Sequence, residues 1–160
     1  MNYEQVLANA TKILKNASIL SSKLDCEVLL SNVLKIKREN LLVNLNKKIN
    51  HQEFINFNKL INRRKKNEPV AYIVGHKEFW NKKFKVNSDV LIPRPDTEIL
   101  VEEVIKLIKI NSSLNILDIG TGTGCVILSV LNERKKCYGI GLDISKKAIN
   151  IAKHNAKIQQ

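Results

Sequence analysis

A chain of 160 residues with 44% apolar and 26% charged residues has the composition of an ordinary globular protein, long enough for one domain or a small domain and part of another. No apolar run approaches the ~20 residues of a membrane span, and the opening MNYEQVLANA lacks the basic-then-apolar layout of a signal peptide, so a cytoplasmic location is the expectation. Collagen-like, disordered, disulfide-framework and membrane-spanning classes are excluded. The net charge of +12 comes from 27 basic and 15 acidic residues; 22 of the former are Lys, beside 19 Asn and 20 Ile. That profile fits both A/T-rich codon usage and an electrostatic footprint for a nucleic-acid or ribosomal partner.

Cys26, Cys125 and Cys137 are odd in number and far apart, with no C-x-x-C pair, and His51, His76 and His154 are equally isolated. Neither a disulfide framework nor a metal site is expected, and Cys26 and Cys125 read as small core fillers.

In chain order, residues 3–17 place Val6, Leu7, Ala10, Ile13, Leu14 and Ala17 on one helical face. Residues 25–35 repeat the pattern with Val28, Leu29, Val33 and Leu34, behind Ser21 or Ser22 as cap. Residues 38–45 form a shorter apolar stretch, and Asn50 is placed to cap a helix through Arg64 with Phe54, Phe57, Leu60 and Ile61 inward. The dense run Arg63-Arg64-Lys65-Lys66 falls at its end, where cations favour the helix dipole. No glycine or proline precedes Pro69, so residues 1–67 read as a bundle of about four helices.

At Asn67-Glu68-Pro69 the character changes. Residues 70–74 read as a β-type run closed by Gly75, and Glu78-Phe79-Trp80 with Phe84-Lys85-Val86 as a hairpin around a three-residue loop, 81–83. Pro93-Arg94-Pro95 fixes an extended turn, with Asp96 or Thr97 capping a helix to about Lys109 whose inward residues are Ile99, Leu100, Val104, Leu107 and Ile108. From Leu114 the order becomes strand (114–119), glycine loop, helix (125–134), strand (138–142) and a helix capped by Ser145, which is a βαβ unit with a parallel sheet.

The motif richest in chemistry is Asp118-Ile119-Gly120-Thr121-Gly122-Thr123-Gly124 followed by Asp143. Glycines at a strand's C-terminal edge let backbone pass close to a ligand, and an acid ending the next strand accepts hydrogen bonds from ribose hydroxyls. The dinucleotide fingerprint requires a third small residue at 125, where Cys stands, and the third glycine comes one position early. No phosphate-binding lysine follows, so a P-loop is disfavoured as well. G-x-G-x-G with an acid two residues before it resembles the adenosylmethionine loop of Rossmann-like methyltransferases. A purely structural glycine turn beside an unrelated Asp143 is the alternative.

Glu68-Pro69-Val70-Ala71-Tyr72-Ile73-Val74-Gly75, then Phe79, then Val90-Leu91-Ile92-Pro93-Arg94-Pro95-Asp96-Thr97-Glu98, resembles the HemK family, the N5-glutamine methyltransferases of peptide chain release factors. Asp25-Cys26-Glu27-Val28-Leu29-Leu30 is similar to that family's small recognition domain. The resemblance implies an α/β chain: a helical recognition domain (1–67), a hairpin and Pro-rich linker (68–95), and the first part of a Rossmann-like methyltransferase domain (96–160). It implies S-adenosyl-L-methionine as cofactor, held by Gly120, Thr121, Gly122, Thr123, Gly124 and Asp143, with 94–98 helping to wall the pocket. Class I release factors, methylated on the glutamine of Gly-Gly-Gln, are the implied partners, with an indirect association with the ribosome. The family's catalytic Asn-Pro-Pro-Tyr does not occur in these 160 residues. No catalytic residue is therefore assigned, and the chain is expected to be an N-terminal piece of a longer enzyme. Two rival functions stand beside this one: methylation of an exocyclic adenine amine, and a non-catalytic basic helical binding module.

Overall fold

The computed structural model describes residues 1–159. Two compact units follow one another along the chain, Met1–Val74 and a second that starts at Gly75.

The first unit is helical: α1 (Tyr3–Asn16), α2 (Ser22–Leu34), α3 (Arg38–Leu42), α4 (His51–Lys65) and α5 (Val70–Val74). Asn2 and Asn50 each accept from the backbone N–H three residues on, while Gln5 and Glu53 reach back to the capping residue's own N–H. These capping boxes fix where α1 and α4 begin. Val6, Ala10 and Leu14 of α1 meet Cys26, Leu29 and Leu30 of α2, Leu41 of α3 and Phe57 and Ile61 of α4 in one core. Ile13 departs from the expected stripe and is 42% exposed. Arg64 pairs with Asp25 at 2.7 Å and Arg38 with Glu27, so both α3 and α4 are tied to α2 by ion pairs whose carboxylates are buried. Ser21 stands at the start of α2 without capping it, because its hydroxyl donates to Asp25 Oδ2.

The run 70–74 is a helical turn, not a strand. Pro69 C=O accepts from the N–H groups of Tyr72 and Ile73, and Val70, Ile73 and Val74 pack on the helical core. Tertiary burial here overrides the β-preference of Val, Tyr and Ile.

The second unit opens with an antiparallel hairpin, β1 (His76–Phe79) and β2 (Lys82–Lys85), paired from His76↔Lys85 to Phe79↔Lys82. The register leaves a two-residue turn, Trp80-Asn81, in place of the expected three-residue loop. Both residues have positive φ (49° and 55°), the signature of a type I′ turn whose twist matches the strands. A left-handed tryptophan is unfavourable by itself; its N–H donates to Glu98 Oε1 and its indole N–H to Glu133 Oε1, which anchors it.

Helix α6 (Thr97–Leu107) follows, without a side-chain cap from Asp96. It buries Val101, with Val104, Ile105 and Ile108 packed beside it, while Ile99, Leu100 and Leu107 are exposed. The buried stripe is therefore turned from the expected one and shares only Val104 and Ile108 with it. Then come β3 (Asn115–Ile119), α7 (Cys125–Glu133), β4 (Tyr138–Leu142) and α8 (Lys146–Gln159), with β3 and β4 parallel from Asn115↔Tyr138 to Ile119↔Leu142. Phe79 and Phe84, edge to face at 6.0 Å, share a core with Val101, Cys125 and Val130.

Strand β4 divides its two faces sharply. Tyr138, Ile140 and Leu142 are exposed together with Leu117 and Ile119 of β3, while Gly139 and Gly141 face the other way. A Cβ at Gly139 would meet Ile127 of α7 at 2.7 Å, so glycine is what admits the helix at that distance. The architecture is α/β, with helices first, a hairpin next and parallel strands last.

Candidate functional site

The turn 120–124 leaves the C-terminal end of β3, and Asp143 stands one residue past the end of β4. Because the strands are parallel and adjacent, both reach the same edge of the sheet. Open parallel sheets bind ligands at this edge.

Gly120, Gly122 and Gly124 all have positive φ (79°, 53° and 79°), a conformation that a Cβ penalises. A Cβ on Gly120 would meet nothing within 4 Å, so the glycine is required by the backbone angle, and the space beside it is open. Leu142 C=O accepts from the N–H groups of both Gly120 and Thr121 at 2.8 Å, which ties the start of the turn to the end of β4. The turn closes on itself where Gly124 N–H donates to Thr121 C=O at 2.7 Å.

The Asp143 carboxylate joins the two strand ends. Oδ2 accepts from Gly122 N–H and Oδ1 from Ser145 N–H, both at 2.9 Å. These two backbone donors, Ser145 first and Gly122 second, hold its pKa below the ordinary value, so the group is an anion at neutral pH. A carboxylate offers about four acceptor positions, of which these bonds use two. Ser145 in turn caps α8 by accepting from Ala148 N–H at 3.2 Å.

The expected site residues are thus adjacent, but their side chains differ in what they do. Thr121 and Thr123 are buried. Thr121 Oγ1 donates to Asp118 Oδ2 at 2.7 Å, and Thr123 Oγ1 accepts from Cys125 N–H at 3.3 Å. Both hydroxyls therefore shape the turn from inside. Burial also raises the Cys125 thiol pKa. In the stretch 94–98, Glu98 is committed to the hairpin turn through Trp80.

Asn155 has no counterpart in the sequence reading. It lies on α8, is fully buried, and bonds both to Thr123 of the turn and to Lys85 of β2. One asparagine among 19 carries no pattern that marks it, and only the register of α8 against the turn brings it there.

The residues leave room for a ligand that carries hydroxyl donors: an acceptor-only anion fixed at the edge and a turn with open space beside it. Among the described residues no group of His, Cys, Asp and Glu is arranged to hold a metal ion, and no helix is long and apolar enough to cross a membrane.

Comparison with known proteins places the chain. Residues 5–75 match the PrmC N-terminal domain and residues 110–160 match a methyltransferase domain. The chain is 43% identical over 158 residues to the release factor glutamine methyltransferase of Buchnera aphidicola subsp. Baizongia pistaciae, which covers 99% of this chain and 57% of that protein. It is 41% identical over 152 residues to the enzyme of the same name from Leptospira interrogans, covering 94% and 53%. A bifunctional methyltransferase of Rickettsia prowazekii is 40% identical over 171 residues, covering 96% of this chain and 33% of that protein. The chain spans about half the length of the release factor glutamine methyltransferases it matches. Along nearly all of its length the chain is similar in sequence to the N-terminal portion of release factor glutamine methyltransferases.

Proposed function

We propose that Gly120, Thr121, Gly122, Thr123, Gly124 and Asp143 form the S-adenosyl-L-methionine site of a methyltransferase acting on the glutamine of the Gly-Gly-Gln motif of class I release factors. The observation that carries this reading is the Asp143 carboxylate, oriented by the Gly122 and Ser145 N–H groups beside a turn of left-handed glycines. Its remaining acceptor positions suit the two ribose hydroxyls, and the glycine turn lets the methionine end lie against backbone. When bound, the cofactor supplies an electrophilic methyl group; the residues of this chain bind and orient it.

The substrate half of the proposal rests on the names of the relatives and on the match of 5–75 to the PrmC N-terminal domain. Positioning a glutamine amide for in-line transfer is the work of the family's Asn-Pro-Pro-Tyr, which does not occur here. Methyl transfer is therefore assigned to a polypeptide that carries that signature, and cofactor binding to the residues described. A cytoplasmic site of action follows from a release factor substrate.

Calorimetric titration of adenosylmethionine into a form carrying the signature tests the cofactor site. Saturable heat is expected, with affinity about tenfold or more weaker in Asp143→Ala, since hydrogen bonds to a charged group are lost. No heat in that form would overturn the reading. With labelled cofactor, the methyl group is expected on a release factor; label on nucleic acid would instead support the adenine-amine reading.

A further inference from the structure

The Asn155 side chain uses both donors and its acceptor while fully buried. Oδ1 accepts from Lys85 N–H at 2.8 Å, and Nδ2 donates to Lys85 C=O at 3.1 Å and to Thr123 C=O at 2.8 Å. Toward Lys85 the amide makes the two-bond pairing that a neighbouring strand would make. Its second donor reaches the turn.

The Thr123 carbonyl is one end of a peptide plane whose other end is the Gly124 N–H. The plane is rigid and trans, so fixing the carbonyl fixes the direction of the N–H. That N–H closes the turn onto Thr121 C=O at 2.7 Å, at the residue where the chain swings through φ +79° into α7. Asn155 thus holds the closing peptide of the turn from beneath and secures it to β2. Asp cannot donate either bond, and Ala can make none of the three.

We propose that Asn155 is a positioning residue for the glycine turn, locking the Thr123–Gly124 peptide to the β-hairpin so that the turn is preshaped for its ligand. The ligand part of the proposal rests on the adenosylmethionine reading above; the preshaping is measurable without it.

Asn155→Asp keeps an acceptor for Lys85 N–H and loses both donated bonds, and Asn155→Ser and Asn155→Ala bracket it. In the 160-residue chain, amide hydrogen exchange of Gly124 is expected to quicken about tenfold in Asn155→Asp. Lys85 is expected to quicken further in Asn155→Ala, and the Ile116 and Ile140 amides of the β3–β4 ladder to stay within about twofold. A uniform rise across β3, β4 and α7 would reduce Asn155 to a packing residue and overturn the proposal, as would an unchanged Gly124. Adenosylmethionine titrated into the form carrying the signature is expected to bind about tenfold more weakly to Asn155→Asp. If that form gives no heat without the substitution while Gly124 still quickens selectively, the cofactor reading falls and the preshaping stands.

Discussion

Gly141 sits opposite Asp118 in the β3–β4 register, and a Cβ on it would come within 2.8 Å of Thr121 Oγ1. The Thr121 hydroxyl needs that space to reach Asp118. A bare position on β4 is therefore part of the turn's geometry. Gly141→Ala is expected to displace Thr121 and destabilise the second unit by about 1–3 kcal/mol, the range for overpacking a filled site. Denaturant unfolding measures it; an unchanged midpoint would show that the Thr121 side chain moves aside without cost.

The Asp143 carboxylate gives the turn a pH dependence of defined sign. Its folded pKa lies below the ordinary value because Ser145 and Gly122 donate to the charged form. Such a group stabilises the fold above its unfolded pKa, and the contribution is lost as pH falls through the depressed folded value. The Gly122 amide resonance is expected to titrate with a midpoint below the ordinary carboxylate value. In Asp143→Asn that acidic step should vanish. A Gly122 shift that titrates at the ordinary carboxylate value would show that the two backbone bonds do not persist in solution.

The three thiols are expected to separate by reactivity. Cys26 is buried, and burial pushes its pKa up to about 11; Cys125 is buried and shifted in the same direction. Cys137 is only half-buried and donates to Ser112 C=O at 3.4 Å. Because the thiolate is the reactive form, a thiol reagent near pH 8 should label Cys137 first, with Cys26 and Cys125 following only on unfolding. The raised Cys26 value contributes stability that is fully present below the unfolded thiol pKa of about 8.5 and is lost as pH rises through about 11. Mass mapping of partly labelled protein reads the order; early labelling of Cys26 would contradict it.

Helix α4 begins at Asn50, whose side chain accepts from Glu53 N–H at 2.8 Å while Glu53 returns a bond to Asn50 N–H at 3.0 Å. Asn50→Ala is expected to cost the first unit about 1 kcal/mol, and Asn50→Gly only a few tenths. Equal losses in the two variants, measured by chemical denaturation, would place the effect elsewhere than in the cap.

Much of this structure was open to reading from residue order because it rests on local rules. Asn50 and Ser145 announce their helices through side-chain capping, and Gly120, Gly122 and Gly124 announce a left-handed turn. What escaped depends on distant partners. Val70–Val74 is helical because the core of the first unit receives it. Trp80 takes a conformation that its own chemistry disfavours because Glu98 and Glu133 wait for its two N–H groups. The inward face of α6 is chosen by where Phe79 and Phe84 lie, and several apolar residues off that face left the stripe ambiguous. Asn155 was invisible for the same reason, since its meaning is a three-way meeting of α8, β2 and the turn.

The hairpin tip also decides what optical spectroscopy can see. Trp80 is the chain's single indole, and its emission belongs wholly to the unit that begins at Gly75. Unfolding followed at tryptophan wavelengths will therefore chart the loss of that unit alone. The helical unit, which carries Tyr3 and Tyr72, will melt silently in that channel and must be followed by far-ultraviolet ellipticity.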